Sequence, residues 1–517
     1  MILFALTLLQ TPAIITVDTR VQTPISPYIY GVNYPDNWIY EWIAEWNLHH
    51  DAFSFAREGG NRFTAYNWET NASNAGNDYF HENDDYLAMS KEPGWTVRQF
   101  LKFVQGAGAA ALITVPTLGY VAADKDTNMN GDKDVIKTPD YLNVRFHKSY
   151  ATNPNPTTTP DLNDKAVYQS DFVAWVQKVK SPKTPVWFSL DNEPDLWNGT
   201  HKRIHPGPLS YAEIIGNNIE YASMIKANAP DSLVFGPANY GWQGLRTFQG
   251  APDGNGRDFM ETYLDSMREA SKKAGHRLVD VYDFHYYPET KGEGGRIIYG
   301  RGPEKPSVAT ARIQAPRSLW DPTFVEDSWI TQSRNGKPVM LITDTAGRIK
   351  AHYPGTKMAI TEYEFGGPNT ISGALAQADA LGVFGRYGIF AASHWGVSSV
   401  DKATYSAFQA FTNYDRNGSR FGDLGLRVTG ETPSNNSVYA SLSTTNKNCL
   451  TLVVINKQEQ ATPMQINLSG FSGKAIKAFT ITDKSYETGT NTPATLQNGA
   501  ATLTIPALSI TTIEVRK

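Results

Sequence analysis

The chain almost lacks cysteine. Cys449 is the only one among 517 residues, so no internal disulfide can form and no cysteine-based metal site can be assembled. An excess of one charge is lacking too. Lys and Arg number 47 against 51 Asp and Glu, a net charge of −4, and no basic cluster or basic helix face stands out. No nucleic-acid partner is expected from that balance. No apolar run approaches the roughly 20 residues of a membrane-spanning helix, so no membrane partner is expected either. The opening Ile2-Leu-Phe-Ala-Leu-Thr-Leu-Leu9 resembles the apolar part of a secretory signal, but no positive residue precedes it and no good cleavage site follows. It reads as a trimmed signal or a packed N-terminal strand. Gly-x-Ser-x-Gly and His-Glu-x-x-His are also missing, which argues against a protease.

Apolar and aromatic residues, by contrast, are plentiful. Hydrophobic residues make up 40% of the chain and aromatics 12%, which fits a globular protein with a large core and not a disordered one. Twelve Trp and 26 Tyr must mostly pack cores. Flat rings also lie against the apolar C–H faces of sugars, however, so the excess leans towards a carbohydrate ligand.

The most informative stretch is Val186-Trp-Phe-Ser-Leu-Asp-Asn-Glu-Pro-Asp-Leu-Trp197. Its apolar run reads as a strand buried on both faces, as in a parallel sheet. Pro194 cannot donate to a ladder, so the strand stops there. Glu193 is thereby delivered at the carboxyl end, where barrel enzymes keep their chemistry. A lone strand-end Glu usually caps a helix or meets a surface cation; here Asn192, Pro194, Trp187 and Trp197 surround it and favour function. Lys357-Met-Ala-Ile-Thr-Glu-Tyr-Glu-Phe365 is a second short strand ending in acid, followed by Gly366-Gly367-Pro368. Glu362 follows the Ala-Ile-Thr run directly, and Glu364 is its rival two positions on. Two carboxylates at the ends of two buried strands are what a glycosidase needs: one held protonated for the leaving oxygen, one ionised to attack the anomeric carbon.

Asp191-Asn-Glu-Pro-Asp-Leu-Trp197, Ile360-Thr-Glu-Tyr363, Arg57-Glu-Gly-Gly-Asn-Arg-Phe-Thr64, Tyr66-Asn-Trp-Glu69 and Asn71-Ala-Ser-Asn-Ala-Gly-Asn-Asp78 together resemble glycoside hydrolase family 44. The likeness runs from Tyr30-Gly-Val-Asn-Tyr34 to the C-terminal strands. It implies an endo-acting, retaining β-1,4-glucanase or xyloglucanase of the (β/α)₈ clan. Glu193 is then expected as general acid/base and Glu362 as nucleophile. Asn192 is placed for the sugar 2-hydroxyl. Arg62, read as ending the second strand, is the candidate to hold the nucleophile ionised, with Arg57 as the deeper alternative. His285 and Tyr287 share a face of the sixth strand and either can meet the nucleophile or the sugar. Trp197 is a candidate wall for Glu193. Trp68, Trp242, Trp320 and Trp395 are candidate sugar platforms, Trp395 foremost because it closes the eighth strand.

Strand-like runs at Tyr28–Tyr34, Ser54–Phe63, Ala110–Pro116, Val186–Glu193, Leu233–Pro237, Val279–Tyr287, Met358–Phe365 and Gly388–Trp395 alternate with amphipathic stretches. They predict an α/β fold, a (β/α)₈ TIM-like barrel over residues 27–420. A structureless insertion near Gly119–Lys165 interrupts the third unit, and a second, Glu289–Pro306, follows the sixth strand. After about residue 425 short alternating strands between turn signals predict a C-terminal β-sandwich of residues 421–517. The resemblance implies that residues 1–26 join it.

No cofactor is expected for catalysis. Asp126, Asn128, Asn130 and Asp132 have the oxygen-ligand spacing of a calcium loop, although Lys137 stands where the terminal Glu belongs. Glu69, Asp161 and Asp164 form a second carboxylate cluster, so a structural Ca²⁺ is one reading and a solvated Asp/Asn turn the other. The expected partner is a β-glucan polysaccharide, acted on by a monomer. A polymer cannot enter a cell, so the location expected is extracellular, of the bacterial kind. Xylanase or mannanase activity would use the same carboxylates, and a non-catalytic glycan-binding barrel is the reading from another class.

Overall fold

The structure is a computed structural model, and it describes residues 11–33, 52–125, 144–293, 295–299, 304–397, 400–486 and 489–517. After a strand β1 (Ala13–Pro24) come eight short strands: β2 (Gly31–Asn33), β3 (Phe55–Glu58), β4 (Ala110–Val115), β5 (Val186–Leu190), β6 (Val234–Asn239), β7 (Val281–Tyr286), β8 (Lys357–Tyr363) and β9 (Ala391–His394). Each pairs in parallel with the next, and β9 pairs with β2, which closes a barrel. All eight strands read from the sequence are present, mostly with trimmed ends.

Every residue of β4 to β7 is buried, because one side chain in two fills the barrel and the next packs under a helix. Phe55, Leu112, Trp187, Phe235 and Val281 fill the interior. Trp187 is therefore part of the barrel floor, stacked on Phe235 at 5.7 Å, and not part of the site it precedes. The helices follow the apolar periodicity and their caps. Tyr211–Asn228, for instance, starts where Ser210 accepts the Glu213 N–H, a hydrogen bond that satisfies one of the free donors at a helix start.

The insertion after β4 is not structureless. Tyr120–Ala122, Phe146–Tyr150 and Ala166–Tyr168 form a small sheet on the face where the barrel strands end. The insertion after β7 carries a short hairpin, Lys291–Gly292 with Gly295–Arg296.

Apart from a two-stranded pair, Ser73–Asn74 with Asn83–Asp84, the remaining strands form one ten-stranded sheet folded over its own apolar core. β1 lies inside it, antiparallel to Leu424–Thr429 and parallel to Thr462–Ser469. The ends of the chain thus build the same layer. Sandwich and barrel share core: Tyr439, Val453, Ile455 and Ile510 pack into the main barrel cluster. A buried ion pair, Lys457 Nζ to Asp379 Oδ2 at 2.8 Å, ties the two together, and the Tyr439 hydroxyl donates to the same carboxylate at 2.6 Å. Among the described residues no helix is long and apolar enough to cross a membrane.

Candidate active site

β5 ends at Leu190, and the chain turns sharply. Asp191 (φ 69°) and Glu193 (φ 43°) both adopt left-handed backbone, a conformation that costs a non-glycine residue about 1–3 kcal/mol and persists only where surroundings impose it. The Asp191 carboxylate does the imposing. It accepts the backbone N–H groups of Thr117 at 2.5 Å and Asn192 at 2.8 Å. Pro194 then opens a single 3₁₀ turn, Pro194–Leu196, where its missing N–H is no loss. The result is a carboxylate lifted to the barrel mouth, 9% exposed.

Glu362 arrives from the opposite wall. The pairing of β7 with β8 slips by one residue after Phe284, so that His285 lies beside Glu362. Such an irregularity re-aims a side chain: Thr361 turns into the barrel to donate to Asp283 at 2.6 Å, and Glu362 still reaches the mouth. Oxygens of Glu193 and Glu362 and a ring nitrogen of His285 all lie within 4.8 Å of one another.

Three side chains fix the two carboxylates. The fully buried Arg57 donates through Nη1 to Glu362 Oε1 (2.7 Å) and Asn33 Oδ1 (2.9 Å), and through Nη2 to Asn192 Oδ1 (2.6 Å). One planar fork so connects the ends of β2, β5 and β8. The Tyr287 hydroxyl donates to Glu362 Oε2 at 2.7 Å. His285 Nδ1 lies 2.7 Å from Glu193 Oε1 and 3.4 Å from Glu362 Oε2.

The electrostatics divide the pair. Burial pushes the Glu193 carboxyl up to about 8, against the opposing pull of Arg57. Arg57 touches Glu362, not Glu193, so the guanidinium charge lies directly against the former. Burial also drives the His285 ring down to about 3, so the imidazole is neutral and adds no charge. The arrangement is a proton-bearing acid facing a cation-anchored carboxylate.

The glycines of Arg57-Glu-Gly-Gly-Asn have separate reasons. A Cβ at Gly59 would meet the Arg57 guanidinium carbon at 2.4 Å, and one at Gly60 (φ 87°) would stand 3.2 Å from the Trp395 ring. Trp395, half-buried just beyond β9, thus lies across the mouth beside the Arg57 anchor.

Several candidates lie elsewhere. Arg62 does not reach Glu362. β3 stops at Glu58, and Arg62 belongs to the short helix Asn61–Thr64, from which it pairs with Asp84 at 2.9 Å and lies over the Tyr86 ring. The reading that carried β3 on to Phe63 misplaced it; Arg57 holds the position instead. Trp68 is 1% exposed, stacked on Phe172 and tilted against Trp175, and is core. Trp197, also 1% exposed, packs beneath the Glu193 turn and offers no face to a ligand. Trp320 stacks on Tyr387, past the far end of the helix that descends from β8, hence away from the mouth. Trp242 is packed beneath Arg246 and Arg334 but borders a side pocket next to Tyr287. Asn33 and Tyr240 were not singled out from the sequence; the Asn ending the Gly-Val-Asn run is the one signal that pointed to the former.

Asp126, Asn128, Asn130 and Asp132 lie outside the described residues. Glu69 and Asp161 do meet: the Asp161 N–H donates to Glu69 Oε1 at 3.4 Å. Burial, with the charges of Asp164 and Asp161 nearby, pushes Glu69 up to about 7. Among the described residues none of the three carboxylates has an ion-pair partner.

The family model for glycoside hydrolase family 44 matches residues 72–290. A xyloglucanase of that family from Paenibacillus polymyxa, solved with xyloglucan, superimposes with a TM-score of 0.87 at 34% identity, over 98% of this chain and 99% of its own. The chain belongs to glycoside hydrolase family 44. Among its curated relatives, Endoglucanase A of Paenibacillus lautus is 39% identical over 461 residues, 86% of this chain and 63% of that protein. Beta-mannanase/endoglucanase A of Caldicellulosiruptor saccharolyticus is 37% identical over 485 residues, 88% of this chain and 35% of that protein. This family 44 chain therefore spans less than two thirds of either curated relative.

Proposed function

We propose that this family 44 protein cleaves β-1,4-glucan chains internally with retention, Glu193 acting as general acid/base and Glu362 as nucleophile. The observation that carries the reading is the close carboxylate pair, with oxygens within 4.8 Å. Retaining enzymes hold their carboxyls about 5–5.5 Å apart, and inverting ones leave about 6.5–9.5 Å for a water. In the first step protonated Glu193 gives its proton to the glycosidic oxygen while Glu362 attacks the anomeric carbon. The leaving chain departs with a free hydroxyl, and a glycosyl ester remains on Glu362. In the second step Glu193, now ionised, takes a proton from water, whose oxygen displaces Glu362. Tyr287 and Arg57 hold the nucleophile in line. Asn192, itself anchored by Arg57, is set for the 2-hydroxyl, where contacts tighten in the transition state.

The names of the relatives support β-glucan and xyloglucan as substrates, and one of them also supports a mannan. Incubating the protein with carboxymethyl cellulose, xyloglucan, xylan and mannan, with Glu362→Gln as control, tests the proposal. Release of reducing ends from a β-glucan by the wild type alone is the expected result. Hydrolysis of none of them, with retained binding, would establish a glycan-binding barrel instead.

The protein is proposed to work outside the cell as a monomer, because its substrates are polymers and one chain supplies every residue of the site. The three carboxylates Glu69, Asp161 and Asp164 do not converge as the catalytic group does, so a structural calcium ion is proposed beside Glu69 alone, where its charge would offset the burial and the neighbouring negative charges that raise this carboxyl. A chelator should then lower the unfolding temperature, and added calcium should restore it.

A further inference from the structure

The nucleophile strand β8 breaks its own alternation where the chemistry begins. Ala359 fills the barrel interior, and Ile360 turns outward into the main core. Thr361 turns inward again, and a regular strand would then send Glu362 outward under the helices. It does not. Glu362 reaches the mouth, and Tyr363 is the residue that turns outward. The Tyr363 ring lies 5.0 Å from Phe384, and its hydroxyl accepts from Gln377 at 2.8 Å. β8 therefore carries one residue more than either neighbour over this stretch. Against β7, Ile360 pairs with Phe284 and Glu362 with His285. Against β9, Ile360 pairs with Ala392 and Tyr363 with His394. Such a bulge leaves the extra residue outside the ladder, so side-chain contacts have to fix it.

Thr361 is held from three strands at once. Its hydroxyl donates to Asp283 Oδ1 of β7 at 2.6 Å. Its carbonyl accepts from Asn33 Nδ2 of β2 at 2.9 Å and from Ser393 Oγ of β9 at 2.7 Å. All four residues are buried. Asn33 also accepts from Arg57 Nη1, the same nitrogen that donates to Glu362. The nucleophile and the residue before it are thereby tied into one circuit. Asp283 is its costly member. It is fully buried, and its Oδ2 has no hydrogen-bond partner among the described residues. The layer below, with Phe55, Leu112, Val281 and Ala359, is apolar. A half-satisfied buried acid on top of such a layer calls for an explanation. Burial, against the pull of Arg57 and Thr361, pushes the Asp283 carboxyl up to about 7. Below that pH it is an uncharged acid, and Arg57 keeps Glu362 as its carboxylate partner.

We propose that Asp283 is a positioning residue for the nucleophile: its bond to Thr361 keeps the extra residue of the bulge inside the barrel and so aims Glu362 at the anomeric carbon. The inference rests on the retaining-glucanase reading above. Thr361→Val tests it on the full chain, because it keeps the shape and removes the donor. Thr361→Ser keeps the donor and is the rescue. The double variant Asp283→Val with Thr361→Val removes both polar partners together and strands neither, so it carries the same test should Thr361→Val fold poorly. kcat and KM are measured on a soluble β-glucan and on dinitrophenyl β-cellotrioside, whose leaving group needs the nucleophile but little help from the acid. Thr361→Val is expected to lower kcat about 10- to 100-fold on both, as for a misplacement of about 1 Å, with KM within about twofold of wild type. Thr361→Ser should stay within about threefold of wild-type kcat. The double variant should recover the unfolding temperature and remain slow. If its kcat recovers together with its stability, Asp283 serves folding alone and the inference is overturned. It is also overturned if Thr361→Val works within about threefold of wild type, or if its loss vanishes on the aryl glycoside, which would place the damage at Glu193. Each of these results leaves the glucanase reading standing, whereas a wild type that cleaves no β-glucan overturns both.

Discussion

Arg57 is the residue on which the site's geometry turns, and its replacement gives the sharpest test. Lysine at this position keeps the charge but presents a point donor in place of a planar fork. At most one of the contacts to Glu362, Asn33 and Asn192 is then expected to survive. Two lost charge-assisted hydrogen bonds are worth about 3–6 kcal/mol. If half of that is felt as misplacement in the transition state, Arg57→Lys lowers kcat by about 10- to 150-fold. Arg57→Met goes further, because it leaves Glu362 buried without its cation. Removing one partner of a buried pair costs about 3–5 kcal/mol of stability. It also removes the positive charge that holds Glu193 down, so the alkaline limb of the pH–rate profile moves up. Arg62→Ala is the control. It breaks the pair with Asp84, costs some stability, and leaves kcat close to wild type. The assay is initial rate on a soluble β-glucan across pH 5 to 10, with urea unfolding of each variant. If Arg57→Lys works within about threefold of wild type while Arg62→Ala loses two orders of magnitude, the anchor has been misassigned.

With Glu193 as the proposed general acid, its protonated form does the work, so kcat/KM is expected to fall on the alkaline side with a midpoint near pH 8; a flat profile to pH 10 would contradict the role. The same group makes stability depend on pH. Its carboxyl rises from 4.5 to about 8 on folding, so the folded state carries the extra proton between these values. That contribution is whole below pH 4.5 and is lost as the pH rises towards 8. Glu193→Gln should therefore gain stability over wild type between pH 5 and 8, with a slope approaching about 1.4 kcal/mol per pH unit, read as the difference in unfolding free energy; a constant difference would refute it. At the junction of barrel and sandwich, Lys457→Met should cost about 3–5 kcal/mol by stranding the buried Asp379. Adding Asp379→Leu should recover part of it in the same urea titration.

Local pattern determined the elements. Eight largely apolar runs, two of them ending in Asn-Glu-Pro and Thr-Glu-Tyr, set the barrel strands, because a strand buried on both faces is mostly apolar and stops where proline or glycine intervenes. The two carboxylates were legible for the same reason: a charged residue at the end of such a run has nowhere to go but the mouth. Alternation of short strands likewise gave the C-terminal layer. What pattern could not supply was the end of β3. Nothing local says that Glu58 closes the strand and that Gly59-Gly60 turns the chain. That turn answers to Arg57 and Trp395, which lie close in space and far apart in sequence. The choice between Arg57 and Arg62 followed from that boundary alone.

The tryptophans show the same limit. Composition made them suggestive, but a ring's exposure depends on what packs over it. Trp68, Trp187 and Trp197 are buried in the packed interior, Trp320 is half-buried against Tyr387, and Trp395 is half-buried at the mouth. The pairing slip that brings His285 beside Glu362, and the pocket that adjoins Tyr287, exist only once β7 and β8 are side by side. The sequence by itself determined which chemistry the chain carries and on which strands. The tertiary structure alone decided which cation anchors the nucleophile, which aromatics face the cleft, and how close the carboxyls stand, because those are distances between segments that no local preference encodes.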